Sequence, residues 1–122
     1  MRIRAILTTI ILAIIASVVL TIPAFADAYI GDVADGERVF EKNCATCHAG
    51  GNNAIISSQT LKQEALEQYL FNYRLEHNVE AIAYQVANGR GAMPAFQGRI
   101  RDKDIADVAA YVKAQSEEGW QD

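Results

Sequence analysis

The pentapeptide Cys44-Ala45-Thr46-Cys47-His48 decides how the rest of this chain is read. Two cysteines three positions apart share one helical turn, and a histidine follows at once. A redox dithiol of the thioredoxin kind would sit beside a βαβ pattern, and no β-alternation is sustained anywhere along the chain. A structural zinc site needs four ligands. The only further candidate of that type is His77, which lacks the usual paired spacing. C-x-x-C-H is instead the attachment signature of haem c. Each thiol, Cys44 and Cys47, can add to one haem vinyl group. His48 then falls beneath the iron and donates a ring nitrogen as an axial ligand. Its other ring nitrogen needs an acceptor, expected to be a backbone carbonyl within Gly50–Ile56.

The sixth iron ligand is sought further along. Met93 is the only methionine left once Met1 is removed with an N-terminal leader. It stands between a glycine-rich bend and Pro94, in Gly89-Arg90-Gly91-Ala92-Met93-Pro94-Ala95-Phe96, where two glycines and a proline forbid regular structure. A methionine in a helix would be read as a gap-filler. One in an extended loop can cross the opposite haem face and offer its sulfur to iron. His77, the rival, lies in a polar stretch and is read as a solvated helical side chain. Iron held by His48 and Met93 has no open position for oxygen, peroxide or substrate, and a neutral thioether favours the ferrous form. The expectation is one-electron transfer and not an enzyme; a haem enzyme or gas sensor would need a vacant position and a distal acid–base residue.

Around these ligands the periodicity predicts four helices. The first runs from Val33 or Asp35 to about Cys47, with Val33, Gly36, Val39 and Phe40 on one face. His48–Ser58 is loop. Thr60-Leu61-Lys62-Gln63 reads as a capping box opening a second helix that ends near Tyr73 or Glu76. Asn78 caps a third helix through Val86, stopped by Gly89. The last spans Asp102 to Ser116, with Ile105, Val108, Ala109 and Val112 on one face and Gly119 after it. The expected class is all-α, about four helices wrapped around one covalently bound haem.

Residues 1–26 read as a signal peptide: Arg2 and Arg4, an apolar run from Ala5 to Ile22, Pro23, and the small-residue end Ala24-Phe25-Ala26. The run approaches the ~18 residues at which a spanning helix becomes possible, but Thr8, Thr9, Ser17, Thr21 and Pro23 speak against an anchor. Residues 27–122 then form one domain, exported and soluble after cleavage. Loss of Arg2 and Arg4 makes the net charge of −4 more negative still. Such a surface argues against nucleic acid, which demands clustered Lys and Arg, and suits a carrier meeting basic patches on other proteins.

With these residues in place, the mature region resembles the cytochrome c6 family of class I c-type cytochromes. The likeness is carried by Asp35-Gly36 with Val39-Phe40, Cys44–His48, Gly50-Gly51-Asn52-Asn53, Thr60-Leu61-Lys62, Glu64-Ala65-Leu66-Glu67-Gln68, Tyr84-Gln85-Val86, Asn88-Gly89, Ala92–Phe96 with Gly98-Arg99, and Asp107–Val112. The resemblance implies the class I cytochrome c fold. It implies a monomer in the thylakoid lumen or periplasm, accepting electrons from cytochrome f of the cytochrome b6f complex and passing them to photosystem I. By the same resemblance Gln85 is a haem-adjacent glutamine and Arg99 a docking residue for photosystem I. Gly36, Phe40 and Tyr111 mark the crossing of the first and last helices. Two departures leave room for a regulatory variant or another acceptor such as a terminal oxidase. The stretch Leu70–Ala83 is about five residues longer than the family's usual connection, as surface loops tolerate. Arg101 stands where a threonine N-cap is expected, with Asp102 or Asp104 left to satisfy the first amides.

Overall fold

The computed structural model describes residues 31–121, so the expected signal peptide, 1–26, lies outside the described residues. The described residues form five α-helices: α1 Val33–Asn43, α2 Ala45–His48, α3 Gln63–Tyr69, α4 Val79–Asn88 and α5 Asp102–Glu118. Among the described residues no strand is present, only two isolated bridges, Arg90 with Met93 and Gln97 with Ile100. The expected all-α class is what is found. The helix read as one piece from Val33 to Cys47 is broken at Cys44, whose φ of −120° and ψ of −33° separate α1 from α2.

The frame is the crossing of α1 and α5. A Cβ on Gly36 would stand 2.1 Å from the Asp107 carbonyl oxygen and 2.8 Å from Tyr111 Cβ, so the two backbones touch there. The side chain of Asp107 is buried beside this contact. One of its oxygens accepts from the Asp32 amide at 2.8 Å and the other from Lys103 Nζ at 2.6 Å. Lys103 also reaches Asp35 at 3.0 Å, which holds the Asp35 carboxyl below its ordinary value. Asp32 in turn caps α1 by accepting from the Asp35 amide. Against this frame α4 supplies Ala81, Ile82, Ala83 and Val86, and α5 supplies Ile105, Val108, Ala109 and Val112. The period of 3.6 explains the α5 positions, whereas three consecutive buried residues show that α4 is covered on more than one face.

Two helix ends follow expectation. Asn78 caps α4 through the Glu80 amide, and Gly89 closes it with a φ of 68°. At α5 the Asp104 carboxylate accepts from the Arg101 amide at 3.2 Å and from its guanidinium. An arginine side chain has no acceptor, so only this returning half of a capping box exists.

The second helix is shorter than its periodicity predicts. It opens at Gln63, because Lys62 is still extended with a ψ of 151° and the Thr60 hydroxyl accepts from the Lys62 amide and not from that of Gln63, as a capping box would need. It ends at Tyr69, after which Leu70 turns extended and Asn72 and His77 take left-handed φ values of 62° and 45°. Tyr73 drops into the core from this turn, fully buried, while Phe71 and Leu75 are left exposed. His77 is therefore neither helical nor fully solvated. It stacks on Tyr73 with ring centroids 5.3 Å apart, and its Nε2 lies 2.8 Å from a Glu67 carboxylate oxygen.

Candidate functional site

Cys44 donates its amide to Phe40 at 2.8 Å, and its carbonyl accepts from both Cys47 and His48, at 3.1 and 3.0 Å. This tight turn brings the two thiols and the imidazole to one cavity wall within the single turn of α2. Both cysteines are free, Cys44 half-buried and Cys47 exposed. Burial pushes the Cys44 thiol up to about 11, so a thiolate is disfavoured there. A thioether, which carries no charge, meets no such penalty.

After His48 the chain reverses through Gly50 and Gly51, with φ of 58° and 72°, where only glycine is unstrained. The reversal returns the carbonyl of Asn52 to 2.9 Å from His48 Nδ1. A carbonyl oxygen can only accept, so Nδ1 carries the proton and Nε2 presents a lone pair. Asn52 lies within the segment expected to supply that acceptor. Asn53 stiffens the rest of the loop: its Oδ1 accepts from the amides of Ile55 and Ile56 at 2.9 Å, and its Nδ2 donates to the Gln59 carbonyl at 2.8 Å.

The Met93 loop is pinned from behind. Phe96 and Gln97 donate their amides to Val86 and Ala87 at 3.1 Å, tying it to the end of α4. Arg90 and Met93 exchange both backbone hydrogen bonds at 3.0 Å. The loop then folds so closely over Gly89 that a Cβ there would meet the Met93 carbonyl oxygen at 2.6 Å. Met93, half-buried, joins Cys44, Cys47 and His48 in lining one open cavity of about 1080 Å³, counting the space at its mouth. Leu61, Leu66, Leu70 and Phe96 make the interior apolar. Among the described residues no cluster of three or more His, Cys, Asp or Glu side chains could hold a bare metal ion. Two thiols, one imidazole with a free lone pair and one thioether around an apolar slot fit a metalloporphyrin instead.

Comparison with known proteins narrows this further. A family model described as cytochrome c oxidase, cbb3-type, subunit III matches residues 31–112. Cytochrome c6 of Picosynechococcus sp. is 53% identical over 110 residues, covering 88% of this chain and 94% of its own. The chain belongs to the cytochrome c6 family. Cytochrome c6 of Bumilleriopsis filiformis is 57% identical over 89 residues, covering 73% of this chain and 98% of its own. The crystal structure of cytochrome c6 from the diatom Phaeodactylum tricornutum superposes with a TM-score of 0.70 at 52% identity, covering 74% of this chain and all of that one. Cytochrome c6C from Synechococcus is more distant, at 34% identity and a TM-score of 0.62. The helical architecture is thus the class I cytochrome c fold, and the cofactor of the family is covalently bound haem c.

Within the cytochrome c6 frame the remaining sequence candidates separate. Gln85 lines the same cavity as His48 and Met93. Arg99 does not; it is exposed on the turn that follows the Met93 loop, its amide donating to Phe96 at 2.9 Å. The periodicity gave no sign of Arg90, the one Lys or Arg on the cavity wall, whose guanidinium donates to the Tyr69 carbonyl at 2.9 Å. Its place between two glycines was the only hint. The roles of Asn53 and Gln59 are set by hydrogen bonds within an irregular loop, which no periodicity marks.

Proposed function

We propose that this cytochrome c6 family member carries single electrons from cytochrome f of the cytochrome b6f complex to photosystem I. In this reading it works as a monomer, in the thylakoid lumen or periplasm, once residues 1–26 have been cleaved. The sulfurs of Cys44 and Cys47 would hold haem c as thioethers, and His48 Nε2 and Met93 Sδ would be its iron ligands. The observation that carries this reading is the Asn52 carbonyl at His48 Nδ1, which leaves Nε2 free in a cavity that Met93 also lines. When bound, haem supplies one reversible oxidation of iron.

The chain's own residues supply the rest. Asn52 fixes the imidazole orientation, the apolar wall excludes water, and the hydrogen bonds from Phe96 and Gln97 to α4 hold Met93 in place. With His48 and Met93 both given to iron, the site would suit electron transfer and leave no place for substrate, which is why the reading is a carrier and not an enzyme. Exposed Ile55 and Ile56 stand at the cavity mouth and offer an apolar contact for a partner. Arg99 adds a charge for docking, and Gln85 lies beside the haem.

Flash kinetics with isolated photosystem I test the assignment. Fast, salt-sensitive reduction that is slowed by Arg99→Glu with an unchanged visible spectrum is the expected result. Slow, salt-insensitive reduction would assign the chain to another acceptor.

A further inference from the structure

The indole of Trp120 sits where the end of the chain meets the loop that follows His48. Its Nε1–H donates to the Leu61 carbonyl at 3.0 Å. The amide of Leu61 donates in turn to the Gly51 carbonyl at 2.7 Å. The ring also covers Gly51 directly, since a Cβ there would stand 2.4 Å from the indole Cγ. Behind it, Phe40 and Tyr111 back the indole with ring centroids 5.2 and 5.9 Å away. Both routes from Trp120 thus end on Gly51, and the next carbonyl along the chain is that of Asn52, the acceptor for His48 Nδ1.

We propose that Trp120 is a positioning residue for the axial imidazole: by fixing Gly51 it holds the Asn52 carbonyl against His48 Nδ1. The proposal rests on ligation by His48. The physical basis is that a histidine ligand is oriented, and its basicity set, by the acceptor on its other nitrogen. That acceptor is only as firm as its backbone. Gly50 and Gly51 are the most conformationally permissive residues in the loop, so the stiffness must come from outside it. The indole provides it with one hydrogen bond and one face.

The test is proton exchange at His48 Nδ1, read by NMR on the reduced holoprotein. Trp120→Phe keeps a ring against Phe40 and Tyr111 but removes the donor to Leu61. Trp120→Leu removes the flat face over Gly51 as well. Losing a net hydrogen bond of about 1 kcal/mol corresponds to roughly fivefold faster opening. We expect His48 Nδ1–H to exchange about fivefold faster in Trp120→Phe and faster still in Trp120→Leu. Core amides of α5 such as Val108 and Val112 report global unfolding and should move less. Exchange at His48 that is unchanged, or accelerated only as much as those core amides, would overturn the proposal. Absence from the unsubstituted protein of any His48 ring signal shifted by the haem would instead overturn ligation by His48, and the proposal with it.

Discussion

Gly36 and Asp107 meet backbone to backbone, with the position of a Gly36 Cβ falling 2.1 Å from the Asp107 carbonyl oxygen. Neither partner can yield by rotating a side chain, because the obstacle is main chain in the middle of α5. Gly36→Ala should therefore force α1 and α5 apart and destabilise the holoprotein by about 3 kcal/mol, at the upper end of overpacking costs. Denaturant titration followed by far-ultraviolet circular dichroism measures this. A change below about 0.5 kcal/mol would mean that the helices do not cross at this point.

Asp107 makes a second contact through its buried carboxylate, one oxygen to the Asp32 amide and the other to Lys103. Asp107→Asn keeps an acceptor for the amide, whereas Asp107→Ala leaves the Asp32 N–H without one. An unsatisfied donor costs about 1–3 kcal/mol. The alanine variant should be the less stable of the two by about that amount. Equal stabilities would show that water replaces the carboxylate at no cost.

Tyr73 sets the behaviour at high pH. Its hydroxyl lies 3.3 Å from Ser116 Oγ, which itself donates to the Lys113 carbonyl at 2.7 Å, so Tyr73 donates and Ser116 accepts. Burial raises the Tyr73 phenol above its ordinary 10.0, and a hydroxyl that donates to Ser116 has no donor there for its ionised form. The unfolded chain therefore loses this proton first as pH rises. The stabilisation is whole below the unfolded value and falls away as pH climbs from there through the folded one. Tyr73→Phe should cost about 1 kcal/mol at pH 7 through the lost hydrogen bond. It should also flatten the decline in stability above pH ~10. Parallel decline in both proteins, measured by denaturation midpoints across that range, would remove Tyr73 as the cause.

The C-x-x-C-H pentapeptide, the irregular methionine loop and the ends of α4 and α5 could be read from residues because each is a local pattern. A glycine stop, an Asn cap or a fixed cysteine spacing acts within one turn of chain. What could not be read depends on distant partners. Thr60-Leu61-Lys62-Gln63 has the composition of a capping box, but the bond of Leu61 to distant Gly51 holds this stretch in the loop, and the helix begins only at Gln63, after the extended Lys62. The stretch after Tyr69 continues a helical pattern in sequence, and burial of Tyr73 against Ser116 breaks it. The same burial brings His77 onto Tyr73 and Glu67, where its polar neighbours suggested only solvent. Asp107 and Trp120 likewise draw their meaning from contacts across the whole chain, to Asp32 and to Leu61.

The axial pair is the centre of the functional reading, and near-infrared absorption of the oxidised, exported holoprotein examines it most directly. The intact protein should show a sulfur-to-ferric-iron charge-transfer band, together with a red colour that survives acid acetone, as a porphyrin bonded to Cys44 and Cys47 would. In Met93→Ala that band should vanish and the reduced protein should begin to bind carbon monoxide. A band that persists without Met93, or pigment that washes out of the unaltered chain, would contradict the account.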